Sequence, residues 1–159
     1  SVFIALNIAG SSKNNKISPA DVHKIILGLY ASKKNIVIIL LHKPSDREDI
    51  SNLIPDEASS FAFLSYPTQS ILEAAALIDA MDLVISPDTS IVHIACALNK
   101  HLVSIYTANK NNFDKWYPIS SSNKVIFSEH ISSLESLDIS KIIDSSLNLL
   151  SNNSRYLVH

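Results

Sequence analysis

Between two strand-like runs, "DLVI" and "LVSIY", the chain reads Ser86-Pro87-Asp88-Thr89-Ser90-Ile91-Val92-His93. An apolar crossing is interrupted there by groups that can handle an anion. With a helix starting after Thr89, the backbone N–H groups and hydroxyls of Thr89 and Ser90 stand at its positive end, where phosphate oxygens are stabilised. His93 lies four residues beyond Thr89, one turn along on a similar face, from where an imidazole N–H reaches a phosphate oxygen. Asp88 opposes this reading, because a carboxylate repels a phosphate. Its place is then to cap the helix and hold the loop's amides. The same spacing also fits a plain capping turn followed by a core histidine, and the residues alone leave both readings open.

The elements around this stretch decide where it sits. Strands are expected at Val2–Ile8, Asn35–Leu41, Ser60–Ser65, Asp82–Ser86, His101–Tyr106 and Lys124–Ser128, several of them apolar almost throughout, as in a sheet covered on both faces. Ser18 followed by Pro19 opens a helix to about Ser32. A shorter one runs from Asp46 to about Leu53; Thr68, Thr89 and Asp138 are expected to cap three more. Strand then helix, repeated, predicts an α/β fold: a doubly wound, mostly parallel sheet of about six strands with helices on both faces. Ligands of such sheets sit beyond the carboxyl ends of the strands, and "SPDTS" occupies that place at the end of the fourth.

Composition narrows the function. With 159 residues, 47% of them hydrophobic and 18% charged, the chain predicts one globular domain. A net charge of −2 argues against a nucleic-acid partner, which demands clustered Lys and Arg. Two glycines are too few for glycine-rich phosphate loops. The single cysteine, Cys96, builds neither a disulfide nor a thiolate metal site, and its alanine neighbours predict a buried small hydrophobe. The six histidines are scattered, and no carboxylate pair flanks the phosphate-binding turn, so no metal is expected. The longest apolar runs fall well short of the roughly 20 residues that cross a bilayer. No signal peptide is visible, and the chain enters directly on a strand without an initiating methionine, which predicts a piece of a longer protein.

"DLVISPDTSIVHIACALNKHLVSIY" resembles the signature of the ADP-heptose:lipopolysaccharide heptosyltransferases, glycosyltransferase family 9. The likeness extends to "LNIAGSSKNNKISPADVHKII", to "TQSILEAAALIDAMDLVIS" and to a Trp-x-Pro-like element in "KWYPIS". The resemblance implies one Rossmann-like half of a two-domain GT-B glycosyltransferase, the donor-binding half. Residues 1–151 would form it, 152–159 a polar tail, and the N-terminal acceptor domain is absent. The implied reaction transfers a heptose or related sugar from an ADP-sugar to the lipopolysaccharide core, with inversion and with neither metal nor other cofactor. The general base is expected on the missing domain, so no catalytic residue falls here and the isolated domain would bind donor without turnover. A cytoplasmic location is implied, with peripheral association of the full enzyme at the inner membrane.

Residue by residue, the resemblance assigns Asp88, Thr89, Ser90 and His93 to a diphosphate cradle, Lys16 to the donor phosphates and Ser12 to a nearby hydroxyl contact. A lysine suits a diphosphate leaving group where no metal supplies the charge. Asp46, with Glu48 second, falls where an acid meets the ribose, and Tyr66 to Gln69 would line the adenine pocket. Two departures stand out: Ser90 replaces a glycine, and Thr107-Ala108-Asn109 replaces Gly-Pro-Thr. They leave open a rival, a GT-B-like nucleotide-binding or structural protein whose transferase activity has decayed.

Overall fold

The computed structural model describes residues 1–109, 111, 113, 114, 117, 118 and 121–152. The "KWYPIS" element therefore lies largely, and the polar tail from 153 onward wholly, outside the described residues. The strands are β1 (Val2–Leu6), β2 (Ile36–Leu40), β3 (Ala62–Leu64), β4 (Leu83–Pro87), β5 (His101–Tyr106) and β6 (Asn123–Phe127). The helices are α1 (Pro19–Ser32), α2 (Arg47–Ser51), α3 (Ile71–Asp79), α4 (Ser90–Ala97) and α5 (Ile139–Ser151). All strands run parallel in one six-stranded sheet, in the order β3-β2-β1-β4-β5-β6.

Alternate strand residues feed two cores. Ile4, Leu6, Leu83, Ile85, Val103 and Ile105 pack against α1 and α5 through Val22, Ile26, Leu29, Ile142 and Leu149. Ala5, Val84 and Leu102 face the other way, onto Leu77 and Ile78 of α3 and Val92 and Ala95 of α4. Helices thus cover both faces, and every residue of β4 is buried. The edge strands β3 and β6 keep exposed positions, Phe63 and Phe127 among them. Gly28 of α1 lets α5 approach closely, since a Cβ there would lie 2.4 Å from Ile143 Cδ1.

Helix starts follow local chemistry. Ser18, Thr89 and Asp138 accept from backbone N–H groups, as their positions predict. Thr68 does not cap α3; Ser70 does, accepting from Glu73 N at 3.2 Å. The Glu73 carboxylate reaches back to Gln69 N at 2.6 Å. That reciprocal pair outcompetes the threonine and leaves Thr68 and Gln69 in the preceding loop. Asp46 ends a short 3₁₀ turn (Pro44–Asp46) and makes no capping bond; its Oδ1 accepts instead from Ser45 Oγ at 2.8 Å. Cys96 is half-buried at the rim of the α4 core rather than fully enclosed.

Candidate functional site

β1 and β4 are sheet neighbours, yet α1 leaves toward one face and α4 toward the other. Where two following loops part in this way, a crevice opens at the carboxyl edge. A cleft of about 1120 Å³ fills it. Its walls come from Ala9–Ser11 after β1, Leu41–Asp46 after β2, Thr68–Ile71 before α3, and Thr89, Ser90, Ile91 and Ile94 at the start of α4.

The first loop is short and tightly tied. Gly10 N donates to Asn15 O at 2.5 Å, Asn15 N to Ser12 O at 3.0 Å, and Ile17 N returns to Ile8 O at 3.0 Å. A Cβ on Gly10 would lie 2.5 Å from both the oxygen and the Cβ of Asn15, so this closure requires glycine. Ser11 N donates to Asp88 O at 3.0 Å, fastening the first loop to the β4–α4 turn.

Asn7 does most of the remaining work. From just beyond the end of β1, its Nδ2 lies 3.0 Å from Ser86 Oγ, 3.3 Å from Thr89 Oγ1 and 3.1 Å from Ala9 O. Ser86, fully buried, donates to Pro87 O at 2.7 Å, and Thr89 Oγ1 accepts from Ile91 N at 3.1 Å. The cap of α4 is therefore held from the opposite strand. Sequence reasoning passed over Asn7; its signal is a polar side chain closing an apolar strand.

Of the residues assigned from sequence, Asp46, Gln69, Thr89 and Ser90 line the cleft together. Ser12 and Lys16 are exposed on the first loop outside it, Lys16 in an antiparallel bridge with Ala9, and Ser11 takes the lining position instead. Glu48 also stands outside. Tyr66 does too, its hydroxyl donating to Glu73 O at 2.9 Å. Asp88 and His93 flank the far side of the turn. Burial pushes the Asp88 carboxyl above its ordinary range, and the His93 charge pulls it back. His93 itself is exposed, so the core-histidine reading does not hold.

Two further features complete the walls. His42 is buried with Nδ1 2.9 Å from Lys43 O and Nε2 2.9 Å from Ser65 O, joining the ends of β2 and β3. Leu41, Ile50, Ile71, Ala74 and Ile94 make an apolar lining on which a flat ring can rest. Among the described residues, no group of three or more His, Cys, Asp or Glu could hold a metal ion.

A doubly wound parallel sheet with a cleft at its switch point, apolar on one wall and polar at the start of α4, is the place where open α/β sheets bind their ligands. The model of glycosyltransferase family 9 (heptosyltransferase) matches residues 3–145, and the chain belongs to that family. Solved structures agree on the fold. E. coli ADP-heptose LPS heptosyltransferase II is similar at 19% identity and a TM-score of 0.77, over 94% of this chain and 46% of that one. E. coli heptosyltransferase WaaC with ADP gives 18% identity and 0.75, over 92% and 44%. A family 9 glycosyl transferase from Veillonella parvula DSM 2008 gives 16% and 0.74, over 94% and 46%. The chain thus spans just under half the length of these structures. No curated protein sequence matches it.

Proposed function

We propose that the chain is the donor-binding domain of a bacterial glycosyltransferase that moves a heptose or related sugar from an ADP-sugar to the lipopolysaccharide core. The observation that carries this reading is the meeting, in one cleft, of the α4 start, an acid and an apolar wall. Thr89 and Ser90 offer hydroxyls and amides at the positive end of α4 to the diphosphate. Asp46 accepts from the ribose hydroxyls, Gln69 borders the base, and the apolar lining takes its faces. Lys16, exposed on the first loop beside Ala9, reaches in with its long side chain to add a point charge. Ser12 lies on that same loop, and His93 and Asp88 close the outer side of the turn.

Residues 1–151 form this donor domain, and the acceptor and the general base belong to an N-terminal domain outside the chain. Donor binding needs no metal, the cations being side chains and a helix terminus. The full enzyme would work at the cytoplasmic face of the inner membrane, where its acceptor is made, by peripheral contact; no described helix is long and apolar enough to cross a membrane. The rival reading, a decayed transferase, draws on Ser90, whose side chain stands at the cleft where a glycine would leave room. Titration calorimetry with ADP and ADP-heptose tests the donor reading against a purely structural one, and tighter binding of ADP-heptose than of ADP favours it over a decayed nucleotide-binding protein. Micromolar to submillimolar binding, weakened about fivefold by Lys16→Ala, supports the donor domain (about 1 kcal/mol). No binding of either ligand overturns it.

A further inference from the structure

Asp88 is awkward at a diphosphate site, because its carboxylate faces the same ligand charge that Thr89 and Ser90 attract. Strand register shows what else it meets. Pro87 of β4 pairs with Ile105 of β5, and Asp88 N donates to Ile105 O at 3.1 Å, so the ladder continues one rung. Asp88 then stands beside Tyr106, Cα atoms about 4.8 Å apart, with both side chains on the α4 face.

Tyr106 is 2% exposed, and its ring meets Phe113 edge-on at 5.2 Å and Phe127 at 6.2 Å. Its hydroxyl has no hydrogen-bond partner among the described residues. Phenylalanine would fill the same aromatic cluster without stranding a buried donor. The hydroxyl is also within electrostatic reach of Asp88: burial first, then the Asp88 and Cys96 charges, oppose ionisation of the phenol.

Resting on the donor site proposed above, we propose that Tyr106 is the positioning residue for Asp88. Its hydroxyl donates to the Asp88 carboxylate and turns that charge toward β5 and His93, away from an anion held at Thr89 and Ser90. A side-chain rotation within one rung of the ladder brings the two groups together. The hydroxyl gains its missing partner, and the diphosphate loses a repulsive neighbour.

ADP affinity of the full chain, measured by calorimetry for wild type, Tyr106→Phe, Asp88→Asn and the double variant, tests the pairing. Tyr106→Phe should weaken ADP about fivefold, and in the Asp88→Asn background the same change should cost nothing. Equal affinities of wild type and Tyr106→Phe, or an equal loss in both backgrounds, overturns the proposal. Carboxyl ¹³C NMR of the ligand-free chain gives a second readout. The titratable groups around the pair are His93, which acts on Asp88, and Cys96, which acts on Tyr106, both from α4. Because an O–H donor favours the charged carboxylate, Tyr106→Phe should move the Asp88 midpoint to higher pH. An unmoved midpoint sinks the idea, whatever happens to folding stability. Failure of wild type to bind ADP would instead remove the donor reading, and the carboxyl titration would still decide whether Tyr106 and Asp88 are bonded.

Discussion

Asn7 gives one side-chain amide three acceptors, Ser86 in β4, Thr89 at the cap of α4 and Ala9 in the first loop. Replacing it with alanine takes a donor from the buried Ser86 Oγ and removes the tie that holds the Thr89 cap of α4 to β1. Asn7→Ala should therefore cost about 1–3 kcal/mol, read as a lower midpoint in urea, and should loosen anion binding as well. The local sequence shows only a polar side chain closing an apolar strand; its partners, 79 and 82 positions away, are not legible there. Asp88 was legible as part of a turn, but its burial was not. A carboxyl held above its ordinary value of 3.8 binds a proton more readily in the folded chain than in the unfolded one. Its contribution is thus fully present below 3.8 and is lost as pH rises through the folded value. Asp88→Asn should raise Tm at pH 7, and the advantage should shrink as pH falls toward 3.8, which calorimetric scans across pH would record.

At the scale of elements, apolar runs and capping residues were enough to place every strand and to set the starts of α1, α4 and α5. Tertiary competition decided the rest. Thr68 and Ser70 are equally good caps in isolation, and only Ser70 has a glutamate three residues on to close the motif. Ser70→Ala should destabilise α3 by about 1 kcal/mol in chemical denaturation. β1 and β3 end at Leu6 and Leu64, short of the apolar runs, although single backbone bonds from Asn7 N to Ile85 O and from Ser65 N to Leu40 O carry each edge one residue further. The glycines offer a contrast. At Gly10 an added methyl meets backbone, so Gly10→Ala should cost about 1–3 kcal/mol and open the first loop. At Gly28 the neighbour is the tip of the Ile143 side chain, which can swing aside, and alanine recovers up to about 1 kcal/mol of helix preference. Gly28→Ala should stay within about 1 kcal/mol of wild type. Urea melts of the two variants side by side would expose a reversal of that order.

For the whole molecule, the alternation of strand and helix made the doubly wound sheet readable, and the carboxyl edge followed from it. The cleft's actual membership was less readable. Asp46, Gln69, Thr89 and Ser90 converge on it, whereas Lys16, Ser12, Asp88 and His93 are not among its lining residues, a distinction that depends on which way each loop folds. If the cleft binds ADP, ligand should lift Tm, with about 2.7 kcal/mol of added stability at a hundredfold excess over Kd. Dialysis against EDTA should leave that shift intact; a shift that needs added Mg²⁺ would show that a cation takes part.

The order β3-β2-β1-β4-β5-β6 also sets a timetable. The first three strands can zip outward from β1 as they emerge, each joined to its neighbour by a local crossover. The seam between β1 and β4 cannot, because Ile4 must wait for Leu83 and Asn7 for Ser86. Closing so long a loop is the entropically costly step, and it comes with the second half of the chain. Both sides of the cleft are thus born separately and joined late. A ribosome-bound chain halted before β4 would own the first loop with Lys16, Asp46 and part of the apolar wall, yet lack the start of α4 that closes the cleft.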